Sequence, residues 1–256
     1  MPKITPMMQQ YLDIKDGCRD AILFYRMGDF YEMFYDDARV ASRILGITLT
    51  SRERNKEDGV PMCGVPYHSA SGYISRLIHC GKKVAVCEQG SVSRGAKGLV
   101  PREVVRIITP GLVVGDGHLD NDRPNYLLAV CRQGLKGLFG LAFIDISTGD
   151  FRVTQVENHE EFSGELGRIA PSEVIASEKG LVPDGLFTTM VDRIAGADDA
   201  AQVLTSHFNI LGVEGLGLKG RIPALKAAAM ILVYIRDTQK GVLPHLTGLR
   251  YYNPGQ

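Results

Sequence analysis

The stretch that most constrains this chain is Leu23–Phe34, LFYRMGDFYEMF, in which two apolar, aromatic-rich runs meet at Gly28-Asp29. A glycine-containing break between such runs reads as a tight β turn, with Leu23–Met27 and Phe30–Phe34 as its two strands. Side chains two residues apart in a strand point the same way, so Phe30 and Glu32 share a face of the second strand. An aromatic ring and a carboxylate therefore project together beside a turn. A Phe in an apolar run ordinarily belongs to a core, and a Glu beside it is ordinarily solvated.

The remaining pattern is that of two α/β domains. Thr5-Pro6 reads as an N-cap with proline at the first helical position, ahead of an amphipathic helix carrying Met7, Met8, Tyr11, Leu12 and Ile14. Asp36-Asp37 precede a second helix over Ala38–Leu45, which Gly46 ends. A strand follows at Ile47–Thr50, then a polar surface loop at Ser51–Gly59. Val60–His68 holds two prolines and a glycine and reads as a rigid turn able to continue neither strand nor helix. Ser69–Cys80 fits a helix with Tyr73, Ile74, Leu77 and Ile78 inward, and Val84–Cys87 a buried strand. Gly90–Arg106 carries Arg94, Lys97, Arg102 and Arg106 against Glu103 alone and reads as a basic loop, either solvated or laid along phosphates. Gly111–Arg123, rich in glycine and aspartate, reads as a linker.

Beyond it, Tyr126–Cys131, Leu138–Ile146 and Phe151–Val156 on short turns predict an antiparallel meander. Helices at Glu160–Ile169, Ala200–Phe208 and Ala224–Gln239, with a strand at Val174–Ala176, complete a mixed α/β layer. Residues 1–110 carry 16 Lys+Arg against 12 Asp+Glu, and residues 111–256 carry 13 against 17, so the neutral total hides halves of +4 and −4. A polyanion prefers the first half, yet +4 is modest and predicts weak binding by this chain alone. No apolar run approaches the roughly 20 residues of a membrane helix, and MPKITPMMQQ lacks a signal-peptide apolar region, so a cytoplasmic protein is expected. Five scattered cysteines without a C-x-x-C pair read as reduced, mostly buried thiols.

Several words together resemble one family. TPMMQQYL at Thr5–Leu12, GDFYE at Gly28–Glu32, VPMCGVPYH at Val60–His68, VAVCEQ at Val84–Gln89, VVRIITPG at Val104–Gly111 and DTQKG at Asp237–Gly241 occur in the order and spacing of the MutS family of bacterial mismatch-recognition proteins. The chain departs from the usual pattern at Gly90-Ser91, where an acidic residue and proline are common, and at Leu112, commonly Thr. The resemblance implies a mismatch-binding domain at 1–110, a linker at 111–123, a ribonuclease-H-like connector domain at 124–242, and the start of a further domain, cut short, at 243–256. It assigns Phe30 as a wedge stacked on a mispaired base and Glu32 as its hydrogen-bonding partner. Met27, Arg52, Gln89 and Arg102 are further implied to lie at the DNA face, and Arg94 and Lys97 are expected there from the basic run. The implied partners are mismatched double-stranded DNA, a MutL-like repair protein through the connector, and a second copy through domains absent here. No catalytic residue, metal or cofactor is expected in this chain; ATP and Mg would belong to a missing ATPase domain.

Three other motifs invite rival readings. Gly215, Gly217 and Gly220 make a formal G-x-G-x-x-G, but no strand feeds it and Pro223 delays the helix, so nucleotide binding is not expected. His68 lacks a nucleophile or acid placed to pair with it, and a local role is expected. Asp145 and Asp150 flank a strand turn, and the alternative function is a ribonuclease-H-like metal-dependent nuclease, whose two ions about 4 Å apart need further converging carboxylates.

Overall fold

The computed structural model describes residues 4–51, 59–90, 100–113, 124–134, 137–191, 194, 196–240 and 246–255. The chain divides into two compact units, Met1–Thr109 and Pro110–Gln256. Each is built on a mixed sheet with helices packed on it.

The first unit opens with α1 (Pro6–Asp16), where Thr5 Oγ1 accepts a hydrogen bond from the Met8 amide at 3.3 Å. This satisfies one of the amide donors a helix start leaves unpaired. β1 (Ala21–Met27) and β2 (Phe30–Phe34) form the expected hairpin, with Gly28 in the left-handed region at φ 57°. There a residue without Cβ avoids the clash that L side chains meet. α2 (Tyr35–Leu45) carries Asp36 and Asp37 in its first turn. The others are β3 (Thr50–Ser51), β4 (Pro61–Pro66), α3 (Ala70–His79), β5 (Lys83–Gln89) and β6 (Arg102–Ile108). The sheet order is β3-β4-β2-β1-β5-β6, with β1 parallel to β5 and its other neighbours antiparallel.

Three local expectations are corrected here. The strand expected at Ile47–Thr50 is reduced to Thr50–Ser51, because only these residues find ladder partners, Met62 and Pro61. Val60–His68, expected to be a turn, contains the six-residue strand β4; its prolines stand at the first and last positions, where a missing N–H is tolerated, and Met62–Val65 run between them. The basic stretch expected to be a loop ends in β6, so Arg102 and Arg106 are strand residues.

On one face of this sheet α1 covers Leu23, Tyr25 and Phe34, with the Tyr11 ring edge-on to Tyr25 at 5.5 Å and to Phe34 at 5.0 Å. The buried Asp37 carboxylate ties α1, β1 and α2 together. It accepts from the Leu23 amide and Lys15 Nζ, each at 2.9 Å, and from the Tyr11 hydroxyl at 3.2 Å. Burial first, and the Asp37 charge second, drive the Tyr11 hydroxyl pKa upward, so it remains a donor.

The second unit contains β7 (Tyr126–Gln133), β8 (Leu138–Asp145), β9 (Asp150–Val156), α4 (His159–Ile169), β10 (Glu173–Ala176), β11 (Thr188–Met190), α5 (Ala197–Phe208), α6 (Ile222–Gln239) and β12 (Arg250–Tyr251). β7, β8 and β9 form the expected meander; β10 joins β7 in parallel and β11 joins β10, giving the order β11-β10-β7-β8-β9-β12. This is the strand order and sense of a ribonuclease-H-like sheet. Phe162, Leu166 and Ile169 of α4 pack on Phe139, Leu141 and Phe143, while α6 packs with Ala129, Ala142 and Ile144. A Cβ at Gly140 would lie 2.1 Å from the Pro223 carbonyl, so α6 meets β8 backbone to backbone.

Of the stretch 111–123, Gly111, Leu112 and Val113 are buried in the second unit, and the Gly111 amide donates to the buried Glu173 carboxylate at 3.0 Å. Residues 114–123 lie outside the described ones. Residues 243–256 include β12, which pairs with β9 and completes this sheet. The cysteines are free thiols, buried except Cys80. Among the described residues no helix is long and apolar enough to cross a membrane.

Candidate nucleic-acid interface

At the turn end of the β1–β2 hairpin, Phe30 is 47% exposed, whereas Phe34 on the same strand is fully buried. Strand alternation puts Phe30, Glu32 and Phe34 on the α1-side face and Tyr31 and Met33 on the other. Phe34 is buried in the cluster that α1 forms with the sheet; Phe30 and Glu32 continue the same face toward the turn.

Phe30 pairs with Pro66 on one side and Met27 on the other. β1 runs parallel to β5 as far as Tyr25 beside Cys87; further along β5, Gln89 pairs with Arg102, whose Nη2 reaches Met27 Sδ at 3.4 Å. Pro66, Phe30 and Met27 thus form one row across the hairpin end, and the Gln89–Arg102 pair is joined to it through the Arg102 contact with Met27. The sequence-derived candidates Met27, Gln89 and Arg102 come from β1, β5 and β6 and, with Phe30 of β2, lie at this end of the sheet. Glu32 sits one rung inward, partly buried, opposite Gly64 and Tyr25.

Within this group the side chains differ in availability. Gln89 is exposed and Met27 half-buried. Arg102 is committed inward: Nε donates to the Arg26 carbonyl at 2.8 Å, Nη1 to Gln10 Oε1 and the Val100 carbonyl at 3.1 Å each, and Nη2 to Met27 Sδ at 3.4 Å. Its guanidinium also lies 4.8 Å from the Tyr25 ring centre. Arg52, Arg94 and Lys97 lie outside the described residues. The reverse face carries a group that the sequence reading passed over: Arg26, Tyr31, Tyr67 and Glu88. Arg26 pairs directly with Tyr31 across the hairpin, and a charged residue in the alternating run LFYRM was the signal for it. Burial, then the hydrogen bond to Glu88, pushes the Tyr31 hydroxyl up to about 12.

What this end of the sheet offers is an apolar ring, a thioether, an amide and one carboxylate on a single face. A ring so placed can stack, and a carboxylate accepts hydrogen bonds from base-edge donors while repelling phosphates. His68 is exposed, its ring 5.9 Å from that of Tyr67. Gly215 lies within a short 3-10 turn, Val213–Leu216, Gly217 and Gly220 follow it, and α5 rather than a strand precedes it.

The acidic pair of the second unit is also accounted for. Asp145 accepts from the Asn125 amide at 3.2 Å, the Ser147 amide at 2.9 Å and the Ser147 hydroxyl at 2.6 Å, and Asp150 pairs with Arg152 at 2.9 Å. Among the described residues, no three His, Cys, Asp or Glu converge to hold a metal. The geometry gives the nuclease alternative no support.

Two α/β units, one bearing an exposed aromatic at a hairpin tip and one built on a meander flanked by parallel strands, define the class of two-domain mixed α/β proteins to which this chain belongs. Residues 5–117 match the family model for MutS domain I and residues 125–247 that for MutS domain II. The chain belongs to the MutS family of DNA mismatch repair proteins. It is 48% identical over 263 residues to the DNA mismatch repair protein MutS of Desulfosudis oleivorans, a match covering 98% of this chain and 30% of that protein. It is 47% identical over 265 residues to that of Syntrophobacter fumaroxidans, covering 100% and 30%. For Lachnoclostridium phytofermentans the figures are 43% over 263 residues, covering 98% and 28%. The chain therefore spans under a third of the length of these relatives.

Proposed function

We propose that this chain recognises mismatched duplex DNA through the end of its β1–β2 hairpin, Phe30 acting as the wedge and Glu32 accepting a hydrogen bond from the mispaired base. The observation that carries this reading is the exposure of Phe30 beside buried aromatic neighbours. Leaving a large ring in water forgoes burial energy, and the ring stands where a base could cover it. A mismatched pair is stacked and paired less firmly than a matched one, so unstacking and kinking it costs less, by up to a few kcal/mol. Stacking on an aromatic ring returns roughly 1–3 kcal/mol per base. Glu32 weakens binding to any duplex while favouring one with a reachable base donor, which is discrimination obtained at the expense of affinity.

In this reading Met27 and Gln89 flank the wedge, and Arg102 acts by holding Met27 and the end of β1. Arg52, Arg94 and Lys97 supply phosphate contacts on sequence grounds. The chain itself performs no catalysis. ATP and Mg binding and pairing with a second copy are assigned to parts of the full-length protein beyond this chain, and contact with a MutL-like repair protein to the second unit. The cytoplasm is the compartment this role requires.

The test is a titration of duplexes with and without one G·T pair, using this chain and a full-length protein carrying it. Phe30→Ala is expected to abolish the preference, and Glu32→Ala to raise matched-duplex affinity while narrowing the preference. An unaltered preference in Phe30→Ala would sink the reading.

A further inference from the structure

We propose that Arg26, on the sheet face opposite Phe30, is the positioning residue that fixes the turn from which Phe30 projects; this rests on the wedge reading of Phe30. The two turn residues are Gly28 and Asp29, and both of their carbonyls are tied to one stacked pair. Arg26 Nε donates to the Gly28 carbonyl at 2.6 Å, and the Tyr67 amide donates to the Asp29 carbonyl at 2.9 Å. The Arg26 guanidinium lies 3.6 Å from the centre of the Tyr67 ring and 5.5 Å from that of Tyr31. Cation and ring thus close a loop: carbonyl, guanidinium, aromatic ring, amide, carbonyl. Glu88 completes it, with Oε2 at 3.7 Å from Arg26 Nη1 and Oε1 accepting from the Tyr31 hydroxyl.

The Arg26 side chain is only 16% exposed. A guanidinium enclosed to that degree is not presented to a phosphate, so its charge serves the hairpin rather than the duplex. Its planar shape matters as much as its charge. Nε is directed to a carbonyl while the plane stacks on a ring, a combination a lysine ammonium cannot reproduce. Two strands joined by a two-residue turn are mobile at their tip unless held, and a misplacement of about 1 Å in a recognition group is costly. Phe30 follows the turn directly, so holding both turn carbonyls sets the direction of its ring.

The test compares Arg26→Lys, Arg26→Gln and Tyr67→Leu with the unaltered chain, Phe30→Ala serving as control. Because Tyr67 is 44% exposed, Tyr67→Leu leaves the core intact even if the Arg26 variants fold poorly. Amide hydrogen exchange at Asp29–Tyr31 should quicken about tenfold in all three variants relative to the rest of the sheet. The G·T-over-matched affinity ratio should fall about threefold or more, with the salt dependence of matched binding unchanged. Rescue of both readouts by Arg26→Lys would overturn the proposal in favour of charge alone, and wild-type exchange in Tyr67→Leu would overturn it outright. Failure of the wedge reading shows separately, as an unchanged ratio in Phe30→Ala, while the exchange rates still decide whether Arg26 holds the turn.

Discussion

Gly64 stands directly opposite Glu32 across the β2–β4 pair. It is exposed and has no side chain to cover the flank of the carboxylate. A Cβ placed there would lie 3.6 Å from Glu32 Cγ and 3.2 Å from the Tyr31 carbonyl, the second contact tight enough that the β2 backbone must give by a few tenths of an ångström.

Gly64→Val should still fold, since a β-branched residue suits a strand and only a small shift of β2 is needed, while its methyl groups crowd Glu32 from the side. The expected outcome is a melting temperature within a few degrees of wild type and a G·T-over-matched ratio lowered roughly threefold to tenfold. Melting curves and duplex titrations check the two halves, and an unchanged ratio would show that Glu32 needs no open flank.

Phe30 and Phe34 offer a contrast within one strand. Phe34→Ala removes a fully buried ring packed against Tyr11 and Tyr25, and should cost about 3–5 kcal/mol. Phe30→Ala should cost less than about 1 kcal/mol, as expected of a half-exposed side chain. Urea unfolding measures both, and equal losses would make Phe30 a core residue.

The basic residues should separate by salt. Neutralising Arg94 and Lys97 together is expected to flatten the slope of log affinity against log salt by roughly one to two units, for matched and mismatched duplexes alike. Arg102→Gln should leave that slope alone and lower thermal stability instead, because its hydrogen bonds go to Arg26, Gln10, Val100 and Met27.

Acid should loosen the second unit through Glu165. Burial raises this carboxyl, but hydrogen bonds from Arg168 at 2.7 Å and the Tyr252 hydroxyl at 2.6 Å more than offset it, so its pKa lies below the ordinary 4.5. A carboxyl depressed in the folded state contributes stability above pH 4.5 that is lost as pH falls through the lowered value. Tyr252→Phe removes one donor and should move the acid-unfolding midpoint of this unit upward, as followed by circular dichroism.

The hairpin, the meander and the three helices of the second unit were legible because period and turn chemistry agree there with the final packing. Phe30 was not legible from hydrophobicity: FYEMF reads as an ordinary core strand, and only the resemblance of the surrounding words set Phe30 apart from Phe34. β4 was hidden by Pro61 and Pro66, since the sequence does not reveal that both fall at strand ends. Arg102 was read with the basic run to which it is adjacent, although β6 turns it inward toward Gln10 and Met27. The Arg26–Tyr67 stack joins positions 41 residues apart, and no local rule connects them.

β12 has a consequence for how the chain is made. Arg250 and Tyr251 pair with Arg152 and Val153, the Tyr252 amide donates to the Val153 carbonyl, and its carbonyl accepts from Thr154 Oγ1. About a hundred residues separate the two strands, so a ribosome adding about 5–20 residues per second exposes the outer edge of β9 for on the order of 5–20 s before its partner emerges. During that interval the nascent sheet has an open edge available to other strands. Synonymous changes that slow translation across α4–α6 should lengthen this window and lower soluble yield without altering a single side chain.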